Sequence, residues 1–138
     1  MRILAVDYGK ARVGVAITDP LGMISQPLET VSNRSDREVI KRLKYLVQNH
    51  DVKVVLVGNP LAMDGSPTTM SEHIEKFVKQ LRKTLVIEVK LWDERLTSKL
   101  AQNRLKELGL HKGRKKIYQI AACIMLDEYL VSQAHCSA

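Results

Sequence analysis

Apolar residues fall in short blocks whose spacing changes along the chain. Ile3-Leu4-Ala5-Val6 is a continuous run ending in Asp7, which predicts a buried central strand over 2–8. Gly9 and Lys10 make a turn. From Arg12 to Thr18 the pattern alternates, with Val13, Val15 and Ile17 against Arg12, Gly14 and Ala16. This predicts a second strand hairpinned to the first. Asp19-Pro20-Leu21-Gly22 is a turn signal. Met23 to Val31 predicts a third strand, weakened by Pro27, which cannot donate to a ladder.

Beyond this point the period lengthens. Ser35 with Glu38 three residues later reads as a capping box, and Val39, Ile40, Leu43, Leu46 and Val47 share one helical face. Val52 to Val57 is a near-continuous aliphatic run of the kind covered on both faces, ended by Gly58-Asn59-Pro60. Residues 64–67 are loop. Ile74, Phe77, Val78 and Leu81 mark a second helix, and Leu85 to Trp92 alternates as another strand. Thr97 or Ser98 caps a third helix to about Leu108, stopped by Gly109. Lys112 to Lys116 is a basic linker, and Ile117 to about Val131 a final helix. A meander followed by strands alternating with helices predicts an α/β fold: a five-stranded mixed sheet flanked by about four helices. The 138 residues suit one domain over 1–138.

Composition narrows the class. Aromatics are 4%, so Leu, Ile, Val and Ala must carry burial. Two cysteines, Cys123 and Cys136, are too few for a secreted disulfide framework and read as free thiols in a reducing compartment. No segment nears the ~20 apolar residues of a membrane span, so no membrane partner and a cytoplasmic location are expected. The net charge of +7 favours polyanionic partners. It is concentrated: Lys99, Arg104, Lys106, Lys112, Arg114, Lys115 and Lys116 face a single acid, Glu107, a local net of +6. Such a cluster suits the phosphate backbone of a nucleic acid, or else forms a solvated loop. With little aromatic interleaving, duplex or folded RNA fits better than stacked single strands.

Candidate chemistry lies at strand ends, where open α/β sheets place their ligand sites. Asp7 follows the first buried run, and Asp93-Glu94 follow the last strand. Taken alone, Asp7 also fits a turn residue, and Asp93-Glu94 also fit a helix-start acid pair favoured by the dipole. Taken together, they point to carboxylates from neighbouring strands that a hard divalent cation would reconcile. Such an ion, Mg²⁺ or Mn²⁺, activates water and neutralises charge in phosphodiester cleavage. Lys10, Arg12 and Arg95 stand nearby to contact phosphate oxygens.

Four blocks in order match a known family. Asp7-Tyr8-Gly9-Lys10-Ala11-Arg12-Val13-Gly14-Val15-Ala16 resembles the Asp-x-Gly-x-x-Arg-[Ile/Val]-Gly-[Val/Ile]-Ala opening of the YqgF/RuvX family. Residues 57–66 resemble its Gly-x-Pro-x-x-Met-x-Gly block. Asp93-Glu94-Arg95-Leu96-Thr97-Ser98 resembles its Asp-Glu-Arg-Leu-[Ser/Thr]-[Ser/Thr] block. Ala121-Ala122-Cys123-Ile124-Met125-Leu126 resembles its closing helix. The resemblance implies a ribonuclease H-like fold, similar to Holliday-junction resolvases. It also implies a nuclease that processes the 5′ end of pre-16S ribosomal RNA or resolves branched DNA.

Carried onto these residues, the resemblance implies Asp7 as first-strand metal ligand, Glu94 as second carboxylate, and Asp93 as neighbour or alternate. Lys10, Arg12, Arg95, Lys99, Lys112, Arg114, Lys115 and Lys116 are the expected nucleic-acid contacts. The family places a third acid three residues before Ala-Ala, and here that position is Tyr118. Asp127 lies nine residues further, about 900° of helix and so on the opposite face; Glu128 is about 80° off and nearly three turns along. The sequence therefore leaves open a two-carboxylate site, a different third ligand such as Asp19 or Asp64, or a non-catalytic nucleic-acid-binding factor. A nucleotide-binding or phosphoryl-transfer protein is a further class, though such proteins close two related domains on their ligand. Structured RNA (pre-rRNA) or branched DNA is the expected partner, with the protein a monomer or weak homodimer.

Overall fold

A computed structural model describes residues 1–97, 99–109 and 116–136. Its elements in order are β1 (Arg2–Tyr8), β2 (Arg12–Thr18), β3 (Ser25–Ser32), α1 (Asp36–Asn49), β4 (Val52–Asn59), α2 (Thr69–Thr84), β5 (Glu88–Asp93), a 3₁₀ turn (Glu94–Leu96), α3 (Lys99–Gly109) and α4 (Lys116–Cys136). The five strands form one sheet in the order β3-β2-β1-β4-β5. β1 pairs antiparallel with β2 and β2 with β3, while β1–β4 and β4–β5 are parallel. The expected mixed sheet with a leading meander is what forms.

Strand alternation gives the sheet two apolar faces. Leu4, Val6, Val13, Val15, Ile17, Val55 and Val57 pack under α1 and α2 with Leu43, Phe77 and Leu81. Ile3, Ala5, Ala16, Val54, Leu56 and Trp92 meet Ala122, Met125, Leu126 and Tyr129 of α4. Central strands buried on both faces explain why β1 and β4 read as unbroken aliphatic runs. Small residues on the second face let α4 approach the sheet closely.

Several boundaries shift for local reasons. β3 begins at Ser25 rather than Met23 because Asp19 Oδ1 accepts the amides of Met23 (2.7 Å) and Ile24 (2.8 Å), holding both in the turn. Pro27 is accommodated because β3 is an edge strand whose register shifts between Val15 and Ala16. Leu85 does not open β5: its amide still bonds Leu81 and ends α2, and the strand starts at Glu88. Ser35 caps α1 as expected, accepting from the Glu38 amide at 3.2 Å. The reciprocal capping box is instead at α2, between Thr68 and Ser71. The alternative cap at Ser98 and the linker residues Lys112, Arg114 and Lys115 lie outside the described residues, as does the side chain of Lys116. Among the described residues, no helix is long and apolar enough to cross a membrane.

Candidate metal and nucleic-acid site

Alternation along β1 puts Asp7 in line with Ile3 and Ala5, on the α4 face, at the carboxyl end of the strand. Its antiparallel partner is Gly14. On the other side, the parallel register Val6–Val57 sets Asp7 level with Gly58 of β4, and Gly58 pairs with Trp92 of β5. The chain leaves β5 at Asp93 and turns at Glu94. Glu94 folds back across Gly58: a β-carbon at that glycine would lie 2.6 Å from Glu94 Oε1 and 2.8 Å from Met125 Sδ of α4. Only a residue without a side chain leaves room for this carboxylate between sheet and helix.

The electrostatics follow from this enclosure. Burial pushes the Asp7 carboxyl up to about 6. Burial, then the charge of Asp7, then that of Asp93, pushes Glu94 up to about 7. The two groups are close enough to repel each other and are held away from water. That combination disfavours their joint ionisation without a cation.

Other acids weighed as ligands are committed elsewhere. The Asp93 carboxylate grips Arg95 through Nη2 at 2.7 Å and Nε at 3.1 Å, and accepts the Arg95 amide at 3.0 Å. The Arg95 guanidinium holds Asp93 below the usual carboxylate range. Asp19 caps its own turn. Asp64 Oδ1 accepts from the Ser66 amide (2.9 Å) and hydroxyl (2.6 Å). Asp127 hydrogen-bonds Ser25 at the start of β3. Among the described residues, no cluster of three or more His, Cys, Asp or Glu is arranged to hold a metal ion.

Tyr118 stands beside the pair. Its backbone carbonyl lies 1.9 Å from where a β-carbon of Gly14 would be, and its ring edge 3.5 Å from that of Gly9. The position of the family's third acid is thus against the strand residue that pairs with Asp7.

Of the expected phosphate contacts, Arg12 opens β2 on the α4 face, half-buried, and Lys99 is exposed at the start of α3. Arg104 and Lys106 are exposed further along α3. Arg95 is exposed but already spans Asp93 and the Met63 carbonyl (3.3 Å). Lys10 is elsewhere: it lines a cavity on the α1/α2 face. The β1–β2 turn carrying it is fixed by Gly9 N to Arg12 O (3.0 Å) and by the Asn33 amide group donating to Gly9 O (2.8 Å).

A family model described as "RuvX: Holliday junction resolvase" matches residues 1–132. A protein of Acetivibrio thermocellus named "Putative pre-16S rRNA nuclease" is 45% identical over 137 residues, covering 96% of this chain and 97% of that protein. The chain belongs to the RuvX family. A second member so named, from Syntrophus aciditrophicus, is 39% identical over 132 residues, covering 94% of this chain and 88% of its own. The RuvX fold is shared with Thermus thermophilus RuvC (TM-score 0.58, 13% identity, 98% of this chain and 97% of that one). It is shared too with the fowlpox virus Holliday junction resolvase (TM-score 0.57, 19% identity, 96% and 99%). The ribonuclease H-like fold expected from the sequence is therefore the one present.

Two features, one at this site and one on the opposite face of the sheet, escape a reading of motifs. Gly58 reads as a strand terminator, yet it shapes the Glu94 seat. The Tyr8 hydroxyl bonds Asp36 and meets His73 Nε2 at 2.8 Å, joining three segments far apart in sequence. For the first, the signal is a glycine on the buried side of a strand that is otherwise aliphatic. For the second there is none before the fold is known.

Proposed function

We propose that this RuvX family member is a metal-dependent nuclease, a phosphodiester hydrolase acting on structured nucleic acid, with 5′-end processing of pre-16S rRNA as its task. The chain would act as one domain. The observation that carries this reading is the shared enclosure of Asp7 and Glu94, two carboxylates whose charges are desolvated and set against each other. Keeping such a pair is costly unless something cationic joins it. Mg²⁺ commonly takes only one or two protein carboxylates and keeps several waters, so two carboxylates suffice as a donor set.

Asp7 and Glu94 would hold Mg²⁺ or Mn²⁺, and Asp93 would serve through Arg95 rather than as a ligand. When bound there, such an ion would supply a water of lowered pKa and positive charge beside the phosphate. The protein's own part is to exclude bulk water with α4 and to fix Glu94 over Gly58. Burial and the charge of Asp7 shift Glu94 toward its protonated form. Arg12, Lys99 and the basic run Lys112, Arg114, Lys115 and Lys116 supply backbone contacts that set the register of the substrate.

The description of the family as Holliday junction resolvases favours branched DNA as a second substrate. Labelled pre-16S rRNA and a four-way junction, incubated in parallel with Mg²⁺, Mn²⁺ or chelator, separate the two. Cleavage of the RNA that needs metal and is lost in Asp7→Asn supports the reading. Equal cleavage by Asp7→Asn overturns the site, and cleavage of the junction alone moves the substrate to DNA.

A further inference from the structure

The sheet has a second opening at the same carboxyl edge, on the face away from Asp7 and Glu94. A cavity of about 780 Å³ lies there, within the ~300–1,000 Å³ of small-molecule sites. The first residues of both α1 and α2 line it, so two helices turn their positive ends toward one space. Lys10 and Arg34 add two exposed cations. The wall also carries Met70 and the His73 ring, whose side chain is 52% exposed and so has a face to offer. The one acid in the wall, Asp36, is occupied by the Tyr8 hydroxyl and lies 3.4 Å from His73 Nε2. The Tyr8 ring is clamped between His73 (5.4 Å) and Phe77 (4.8 Å), which fixes the imidazole's post.

The apolar Met70 and the half-exposed His73 ring beside the two cations suit a ligand with a flat, partly apolar portion as well as negative charge better than a bare anion.

We propose that this cavity is a nucleotide subsite, taking a base against His73 and Met70 and its phosphate between Lys10, Arg34 and the two helix starts. Lys10 belongs to the same hairpin as Asp7, so a strand crossing the sheet edge reaches the cavity after passing the acids. The occupant is a nucleotide unit, either within the bound strand or free. Only the first source rests on the nuclease reading.

The test follows the ring protons of His73 by NMR in the full chain, their assignment secured by His73→Gln among the four histidines. The probes are 5′-AMP, a short single-stranded oligoadenylate RNA and inorganic phosphate. Both nucleotide probes, or the RNA alone, should move the His73 signals at concentrations where phosphate does not. Arg34→Glu should weaken that binding about tenfold, as loss of a charge-assisted contact does, and Lys10→Glu should weaken it to a similar degree. A response to the RNA alone names the strand as the source; an equal response to 5′-AMP names the free nucleotide as well. The proposal is overturned if phosphate matches 5′-AMP, if no nucleotide moves His73, or if both variants bind as wild type does. If the wild-type protein shows the shifts yet cuts neither the RNA nor the junction, the nuclease reading falls and the subsite stands. Cutting without shifts would do the reverse.

Discussion

Glu94 occupies the volume that a side chain on Gly58 would need, its Oε1 2.6 Å from where that β-carbon would stand. The glycine is the penultimate residue of β4, whose other positions on that face, Val54 and Leu56, are aliphatic, and the same added carbon would lie 2.8 Å from Met125 Sδ of α4. Gly58→Ala must therefore shift both the Glu94 carboxylate and the end of the Met125 side chain. The expected cost is about 1–3 kcal/mol of stability from overpacking. Mg²⁺ affinity should fall about 10–100-fold, the range for changes that disturb a ligand's support. Thermal unfolding with and without Mg²⁺ reads both, and an alanine variant that binds metal as wild type does would show that Glu94 is not seated by this glycine.

Removing charge at the pair should separate cutting from binding. Asp7→Asn and Glu94→Gln keep shape while losing a carboxylate charge. Cleavage should drop on the order of 10³-fold or more, the scale of losing an electrostatic partner of a transition state. Nucleic-acid affinity should change little, because Arg12, Lys99 and the basic run remain. A filter-binding isotherm beside a single-turnover cleavage course checks both.

The pH dependence has a definite sign. Asp7 and Glu94 hold protons more tightly folded than unfolded, at about 6 and about 7. Their favourable contribution is full below the ordinary carboxylate range and fades as pH rises through those values. Asp93, Asp19 and Asp64 are shifted the opposite way, so the comparison must be with a variant rather than with a bare curve. Between pH 4 and pH 8, metal-free Asp7→Asn should gain up to about 3 kcal/mol relative to wild type, at about 1.4 kcal/mol per pKa unit. Mg²⁺ should stabilise wild type at pH 8 and hardly at pH 5, since the ligands must be deprotonated. Denaturant titrations at the two pH values test both statements; a flat difference would mean Asp7 is better hydrated than its burial indicates.

The fold was legible because its signals are local. Unbroken runs at β1 and β4 belong to strands covered on both faces, and the heptad-like spacing of Val39, Ile40, Leu43, Leu46 and Val47 is the buried face of α1. Boundaries failed where a side chain reached back to the backbone, as Asp19 does at the start of β3. In the site, the acids at strand ends could be found from position alone. Their separate duties could not: Asp93 and Glu94 are adjacent in sequence, yet one is spent on Arg95 and the other is folded over Gly58. Lys10 and Asp7 are three residues apart and serve opposite faces, a consequence of the turn between them.

Tyr118 gives the sharpest test of how many carboxylates the chemistry needs. Gly14, the cross-strand partner of Asp7, has no room for a β-carbon because the Tyr118 backbone lies against it. A side chain at 118 therefore starts within the neighbourhood of the acids, which Asp127, tied to Ser25, does not. Tyr118→Asp adds a third negative group there. Without metal it should raise the Asp7 and Glu94 pKa values further and destabilise the protein at pH 8 by about 1–3 kcal/mol, through like-charge repulsion and loss of the ring. With Mg²⁺ the sign should invert: affinity about tenfold higher, with faster cleavage, because a third oxygen ligand offsets that repulsion. Tyr118→Phe keeps the ring and should show neither change. Isothermal titration with Mg²⁺ and a cleavage assay on the three proteins decide the matter; a folded Tyr118→Asp variant with unchanged metal affinity would establish that two carboxylates complete the site.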